Sequence, residues 1–316
     1  MHHFEYINGV LHAEDVALEK IAEKVGTPAY VYSHATLTRH FHIFDDPLSE
    51  IDHLTCFSVK ACSNLAILGL FAQMGSGFDV VSGGELFRAR RAGANAARIV
   101  FSGVGKSESE IRYALTEGIL FFNVESQQEL ELINRVAGET GKKARIAVRV
   151  NPDVDPITHP YVATGLKQHK FGIDINEALS LYQHIKTLDH IEAVGVDCHL
   201  GSQLTRTAPF VEALTKLVEL VAQLKESGFD IQYLDMGGGL GITYYREEPP
   251  LPHEYAREII LIAKDLDCTL IFEPGRVIAG NAGILLTRVL YIKETGDKRF
   301  VIVDAGMNDL IRPSLY

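Results

Sequence analysis

The sequence predicts an α/β fold: a (β/α)8 TIM barrel with a second β-rich domain, only partly present, built from N- and C-terminal segments. Three observations carry this reading. Short apolar, strand-like runs alternate with amphipathic stretches eight times in series between residues 54 and 275, and strands separated by helices pair in parallel. The runs are apolar at consecutive positions, as in Ile99-Val100-Phe101 and Leu120-Phe121-Phe122, the pattern of strands covered on both faces. Two further β-rich runs, 284–293 and 299–305, follow the eighth unit with no helix between them. Alternation alone also allows an open doubly wound sheet; eight successive units favour closure into a barrel.

The elements follow in order. Residues 5–12 read as a hairpin turning on Asn8-Gly9, the dipeptide suited to a left-handed turn, and 15–25 as a helix. Barrel strands are expected at 54–60, 77–82, 98–103, 120–125, 145–151, 193–199, 233–239 and 269–275. Helices are expected at 64–74, 83–93, 107–117, 126–138, 177–188, 209–227 and 253–265. Ser107 with Glu110, and Ser126 with Glu129, have the spacing of capping boxes. Gly296-Asp297 separates the two late strands. This divides the chain into an N-terminal segment of the β domain (1–28), the barrel (29–277) and the start of the C-terminal β domain (278–316).

Composition narrows the function. The 316 residues are 47% hydrophobic and 22% charged, enough for a barrel core and a smaller partner. The net charge of −11 makes the chain a poor non-specific partner for nucleic acid or anionic lipid; a local pocket can still take a small anion. The first residues carry no apolar leader, and no run of about 18 apolar residues occurs. The four cysteines (Cys56, Cys62, Cys198, Cys268) form no C-x-x-C pair. They read as reduced core thiols of a cytoplasmic protein without a metal site.

Barrel active sites lie at the C-terminal ends of the strands, so what each strand ends in is informative. In order, the ends carry Lys60; Asp79 and Ser82; Ser102; Asn123 and Glu125; Arg149 and Asn151; His199; Gly237-Gly238-Gly239; and Glu273-Pro274-Gly275-Arg276. A lysine closing an apolar strand can be desolvated, which lowers its pKa and suits Schiff-base chemistry. The glycine run allows backbone N–H groups to converge on an anion after the seventh strand, where barrels bind phosphate. It is no dinucleotide fingerprint, because Ile242 stands where the third glycine belongs. A glutamate such as Glu273 can hold the protonated pyridine nitrogen of pyridoxal 5'-phosphate (PLP), Arg276 can grip a phosphate or carboxylate, and His199 can face the ring. Each has a plainer reading alone: a lysine pointing to water, a tight turn, a surface ion pair, a core histidine. Together at one barrel end they describe one cofactor, PLP.

Phe57-Ser58-Val59-Lys60-Ala61-Cys62-Ser63-Asn64, Phe78 to Leu86, Phe101 to Lys106 and Phe122 to Ser126 resemble, in order, the motifs of the alanine-racemase-fold (type III) PLP decarboxylases. Arg149 to Pro152, His169 to Gly172, Cys198 to Gln203, the glycine run, Glu273 to Arg276 and Met307 to Tyr316 continue the series. The His-Leu-Gly-Ser-Gln and Asn-Asp-Leu-Ile-Arg-Pro stretches point to the diaminopimelate decarboxylase branch rather than its ornithine or arginine relatives. The resemblance implies decarboxylation of meso-diaminopimelate to L-lysine, the last step of lysine biosynthesis. It implies that Lys60 carries the cofactor, that Asp79 and His199 lie close to its ring, and that Glu273 meets the pyridine nitrogen. Ser202, Gly237, Gly238, Gly239, Pro274, Gly275 and Arg276 would surround its phosphate and ring, and Arg276, Arg312 and Tyr316 would hold the distal end of the substrate. Racemases of this fold place arginine where Glu273 stands, and Arg312 suits a substrate with a distal carboxylate. The alternatives are decarboxylation of another basic amino acid or an inactive PLP-binding relative. Two departures stand out. Cys62 replaces the usual asparagine. The family's C-terminal quarter, with a Cys-Glu pair and a tyrosine that complete sites shared across a homodimer, is missing from the match, so poor cofactor binding and slow turnover are expected.

Overall fold

The computed structural model describes residues 2–155 and 170–311. The chain forms two compact units, one of His42–Val277 and one of the residues up to Phe41 together with those from Ile278.

In the larger unit, eight parallel strands close on themselves. His53–Ser58 pairs with Gly77–Val80, then in turn Ile99–Phe101, Phe121–Val124, Ala144–Asn151, Ile191–Asp197, Tyr233–Asp235 and Thr269–Phe272 follow, and the last returns to His53–Ser58. This is the barrel that the alternation predicts. Its core includes Leu54, Cys56, Val100, Phe121, Ala147, Val194 and Ile271, all buried. Most strands stop short of their expected C-terminal ends. Tyr233–Asp235 ends before the glycines, and Lys60 sits in a short 3-10 turn, Val59–Ala61, beyond its strand. Polar and glycine residues leave the hydrogen-bonded ladder there and turn across the barrel mouth.

Several barrel helices start where a side chain satisfies their first N–H groups. Asn64 Oδ1 accepts from the N–H of Ala66 at 2.9 Å, and Ser82 Oγ from that of Glu85 at 3.2 Å. The reciprocal box of Ser107 and Glu110 forms as expected at the head of Glu108–Glu117. The second expected box is only half made. Ser126 Oγ accepts the Glu129 N–H at 3.2 Å, but the Glu129 carboxylate accepts instead from the Glu125 N–H and from Lys106 Nζ, both at 2.7 Å. Lys106 is the reason. Its side chain is 1% exposed, against 6% for Glu129, and its ammonium also donates to the carbonyls of Gly103 (2.8 Å) and Asn123 (2.6 Å). All three N–H donors are satisfied, as a buried ammonium requires, and the mouth ends of the third and fourth strands are clamped to the helix Gln127–Glu139.

In the smaller unit, Phe4–Ile7 and Val10–Ala13 form the expected hairpin, with Asn8 and Gly9 at φ 51° and 81°. The helix begins at Leu18, later than expected, because Val16–Ala17 extends the sheet. The run 284–293 is two strands rather than one. Gly283–Leu286 pairs with Ala29–Tyr32, and Val289–Thr295 forms a hairpin with Lys298–Val303. Ala29–Tyr32 finds its hydrogen-bond partner in the late chain, so this unit extends to Phe41, beyond the expected division at 28.

Removing one partner of a buried ion pair strands the other charge. Lys106→Met is expected to destabilise the protein by about 3 kcal/mol. The double variant Lys106→Met/Glu129→Gln should recover most of this. Thermal and urea unfolding of both proteins measures the difference; equal loss in the two would show that the charge is not the cause.

Candidate active site

Lys60 lies at the rim, and its ammonium forms an ion pair with Asp79 Oδ2. Asp79 itself is fully buried in the second strand. Ser58, two residues before Lys60, places its Oγ between two acceptors, Asp79 Oδ2 (3.0 Å) and the backbone carbonyl of Glu273 (2.9 Å), which share its single O–H, so one hydroxyl bridges the first, second and eighth strand ends. Burial by itself depresses an ammonium, but the Asp79 carboxylate, with Glu273 behind it, overrides this and pushes the Lys60 pKa up. The direction is opposite to that expected from the sequence, because the carboxylate facing the amine outweighs its desolvation.

Glu273 lies at the centre. Ser102 Oγ stands 3.3 Å from its Oε1, and Asn123 Nδ2 reaches Glu273 Oε1 (3.5 Å), Ser102 Oγ (3.1 Å) and Asp235 Oδ2 (3.1 Å). Asp235 Oδ1 accepts the Gly237 N–H at 2.9 Å. Burial raises the Glu273 pKa, and the Asp235 and Asp79 carboxylates raise it further. Burial also raises Asp235, to about 6, against the pull of the Gly237 N–H and Asn123. Asp197 moves up for the same reason, with Asp235 adding to it. Arg149 answers part of this charge: its Nη1 binds Glu125 Oε1 at 3.1 Å, Nε lies 3.9 Å from Asp197 Oδ2, and the guanidinium stacks over Phe171 at 5.1 Å.

His199 follows the sixth strand, and its Nδ1 accepts the Gly238 N–H at 3.0 Å. Burial, Arg149 and Lys60 all push its pKa down, so the ring is neutral with its proton on Nε2. The glycine run is shaped by crowding. A Cβ on Gly238 would lie 2.2 Å from the Glu273 carbonyl oxygen, and one on Gly237 would lie 2.5 Å from His199 Nδ1. Two of the run's N–H groups, those of Gly237 and Gly238, are directed to Asp235 and His199 rather than to a common anion as the sequence suggests. The Gly239 N–H has no protein partner among the described residues. Beside it, the 201–204 turn brings Ser202 to Arg276, whose Nη2 and Nε lie 3.1 and 3.4 Å from Ser202 Oγ. Pro274 accepts the Ser58 N–H at 3.0 Å, and Gly275 lets the eighth strand end pass close to Ala61 and Ser58.

The structure therefore gathers Lys60, Asp79, Glu273, His199 and the glycine run at the mouth, with Ser202 and Arg276 alongside the run. Arg312 and Tyr316 lie outside the described residues. Sequence reasoning gave no role to Ser58, Asp197, Asp235 or Lys106. The signal was available for the two aspartates, each a charged residue inside an otherwise apolar parallel strand, two positions before His199 and Gly237 respectively.

The donor set suits a phosphorylated, ring-nitrogen aldehyde. A primary amine stands at the rim, and a buried carboxyl with a raised pKa lies below. A neutral imidazole, an N–H without a protein partner and an arginine complete the set. Buried acceptors also remain unmatched at Asp79 Oδ1, Asn123 Oδ1 and Asp197 Oδ1.

Comparison with known proteins agrees. Residues 34–280 match the family model described as "Pyridoxal-dependent decarboxylase, pyridoxal binding domain". Among curated relatives, the diaminopimelate decarboxylase of Haemophilus influenzae is 51% identical over 317 residues, covering 100% of this chain and 76% of the relative. That of Pseudomonas aeruginosa is 54% identical over 313 residues, covering 99% and 75%. The structure resembles the crystal structure of diaminopimelate decarboxylase from Helicobacter pylori complexed with L-lysine, with a TM-score of 0.90 and 45% identity over 95% of this chain and 75% of that one. This chain thus spans about three quarters of the length of these relatives.

The buried acids make stability depend on pH. The folded Asp235 holds its proton up to about 6, while the ordinary value is 3.8. Between these values the native state binds more protons than the unfolded one, so its stability falls as pH rises. Unfolding of the ligand-free protein between pH 4 and 6 is expected to show this fall, and Asp235→Asn to flatten it. An unchanged slope in the variant would remove Asp235 from the account.

Proposed function

The chain belongs to the diaminopimelate decarboxylase family of pyridoxal-dependent decarboxylases, and from that premise we propose that it removes carbon dioxide from meso-diaminopimelate to leave L-lysine, completing lysine biosynthesis with pyridoxal 5'-phosphate as its cofactor. The observation that carries this reading is the meeting of Lys60, Asp79 and Glu273 at one end of the barrel, joined through Ser58.

Lys60 and His199 are the catalytic residues in this reading. Lys60 Nζ holds the cofactor, and the same atom must first lose its proton, for which Asp79 Oδ2 is the acceptor in contact. Glu273 would meet the pyridine nitrogen of the bound cofactor. Its high proton affinity, maintained by burial and neighbouring carboxylates, would keep a proton between the two. When bound, the cofactor supplies an electron sink for the pair left behind as carbon dioxide departs. His199, held neutral and oriented by the Gly238 N–H, offers an uncharged face to the ring. The Gly239 N–H, Ser202 and the Arg276 backbone are the groups for the phosphate side, with Gly237, Gly238, Pro274 and Gly275 shaping the turn around them. Arg276 also reaches for the distal carboxylate of the substrate, with Arg312 and Tyr316 as the sequence's further candidates.

The assembly is part of the proposal. A homodimer with sites shared across it is what the family resemblance implies. The smaller unit is read as the N- and C-terminal contributions to a β domain. Among the described residues no helix is long and apolar enough to cross a membrane, and the four cysteines form no disulfide. A cytoplasmic enzyme is the reading that fits the thiols and the biosynthetic relatives.

The test is direct. Protein incubated with pyridoxal 5'-phosphate should absorb in the near-violet, borohydride should bleach the band, and mass spectrometry should place a pyridoxyl adduct on Lys60. Diaminopimelate should yield lysine and carbon dioxide in equal amounts. Lys60→Ala should lose the band and reduce turnover to background. A band that survives this substitution refutes the cofactor assignment.

A further inference from the structure

Arg276 is held from two sides. Ser202 Oγ takes its Nε and Nη2 from within the site. From the solvent side, the Tyr244 hydroxyl accepts from Nη1, and the Tyr244 ring lies 5.5 Å from the guanidinium carbon. These contacts use three of the five N–H groups of the guanidinium. One N–H on each terminal nitrogen remains, and such a pair matches the two oxygens of a carboxylate.

Tyr244 is 61% exposed, and an exposed tyrosine on an ordinary loop would not hold an arginine in one orientation. This loop is knotted by Glu247. One oxygen of its carboxylate accepts three consecutive backbone N–H groups, those of Tyr244 (3.0 Å), Tyr245 (2.7 Å) and Arg246 (3.1 Å). Its backbone carbonyl accepts from Thr243 Oγ1 at 2.9 Å. Those N–H bonds hold the Glu247 carboxyl below its ordinary range, so the knot stays charged and tied at neutral pH. The loop presents Tyr244 to Arg276 already formed, which lowers the ordering cost of binding.

We propose that Tyr244, fixed by the Glu247 knot, is a positioning residue that holds the Arg276 fork ready for the distal carboxylate, and so favours substrates that carry one. Tyr244 acts through Arg276 and touches no reacting atom. The inference rests on the function proposed above, and the following experiment separates the two.

The probes are L-lysine, which keeps the distal carboxylate, and 1,5-diaminopentane, the same diamine without it. Each is titrated into the pyridoxal-phosphate-loaded protein, and its dissociation constant is read from the change in cofactor absorbance, independently of turnover. The unmodified protein should bind lysine more tightly than the diamine. Tyr244→Leu should weaken lysine about tenfold and the diamine by less than about twofold. Tyr244→Phe, which keeps the ring over the guanidinium, should fall between. Glu247→Ala, which unties the loop, should behave as Tyr244→Leu does. The inference is overturned if the variants bind lysine as before. It is overturned equally if they lose both probes alike, or lose cofactor retention while lysine affinity holds. If the unmodified protein shows no cofactor band, or no preference for lysine over the diamine, the proposed function falls and this inference with it.

Discussion

Too much negative charge is buried at the mouth of this barrel for the cations that answer it. Asp79, Asp197, Asp235 and Glu273 all end in the same enclosed space, each at most 4% exposed. Among the described residues, Lys60 and Arg149 are the cations facing them. A carboxylate taken out of water without a partner is costly enough that it takes up a proton instead, and the raised pKa values of Glu273, Asp235 and Asp197 express that. Everything else at the mouth is arranged around this imbalance. Asn123 Nδ2 lies between Asp235 and Glu273, Ser58 sits between Asp79 and the Glu273 backbone, and Lys60 pairs with Asp79. A cationic group brought against Glu273 would relieve the deficit.

The fold was legible because its signal is periodic. Eight alternations, strands apolar on both faces, and glycine or polar residues at their C-terminal ends leave little freedom in how the chain can close. The misjudged boundaries share a cause. Lys60 and Gly237 to Gly239 read as strand continuations because apolar residues precede them, whereas the polar requirements of the mouth lift them out of the ladder. The split within 284–293 was hidden because strand character says nothing about which partner each half finds. Gly283–Leu286 pairs with Ala29–Tyr32, about 250 residues away in sequence.

The gathering of the candidate residues was legible, their physics less so. Lys60, His199, the glycines and Glu273 announce themselves by their places at strand ends. The direction of the Lys60 shift does not, since it depends on Asp79 lying across from the amine in the neighbouring strand. Nor does the work of the glycines: two of them exist because the Glu273 carbonyl and the His199 ring come too close for a side chain. Lys106 went unassigned because a buried lysine looks like a surface one until its three acceptors are seen in space.

The bond from the Gly238 amide to His199 Nδ1 has a bearing on observation. It fixes the imidazole as a single tautomer, and it does so through the backbone of the very turn that crosses the mouth. The nitrogen resonances of that one ring therefore act as an internal gauge of the turn. Any ligand, solvent or substitution that shifts the peptide at Gly238 must alter the magnetic shielding at Nδ1, even where the carbon skeleton around it moves too little to measure.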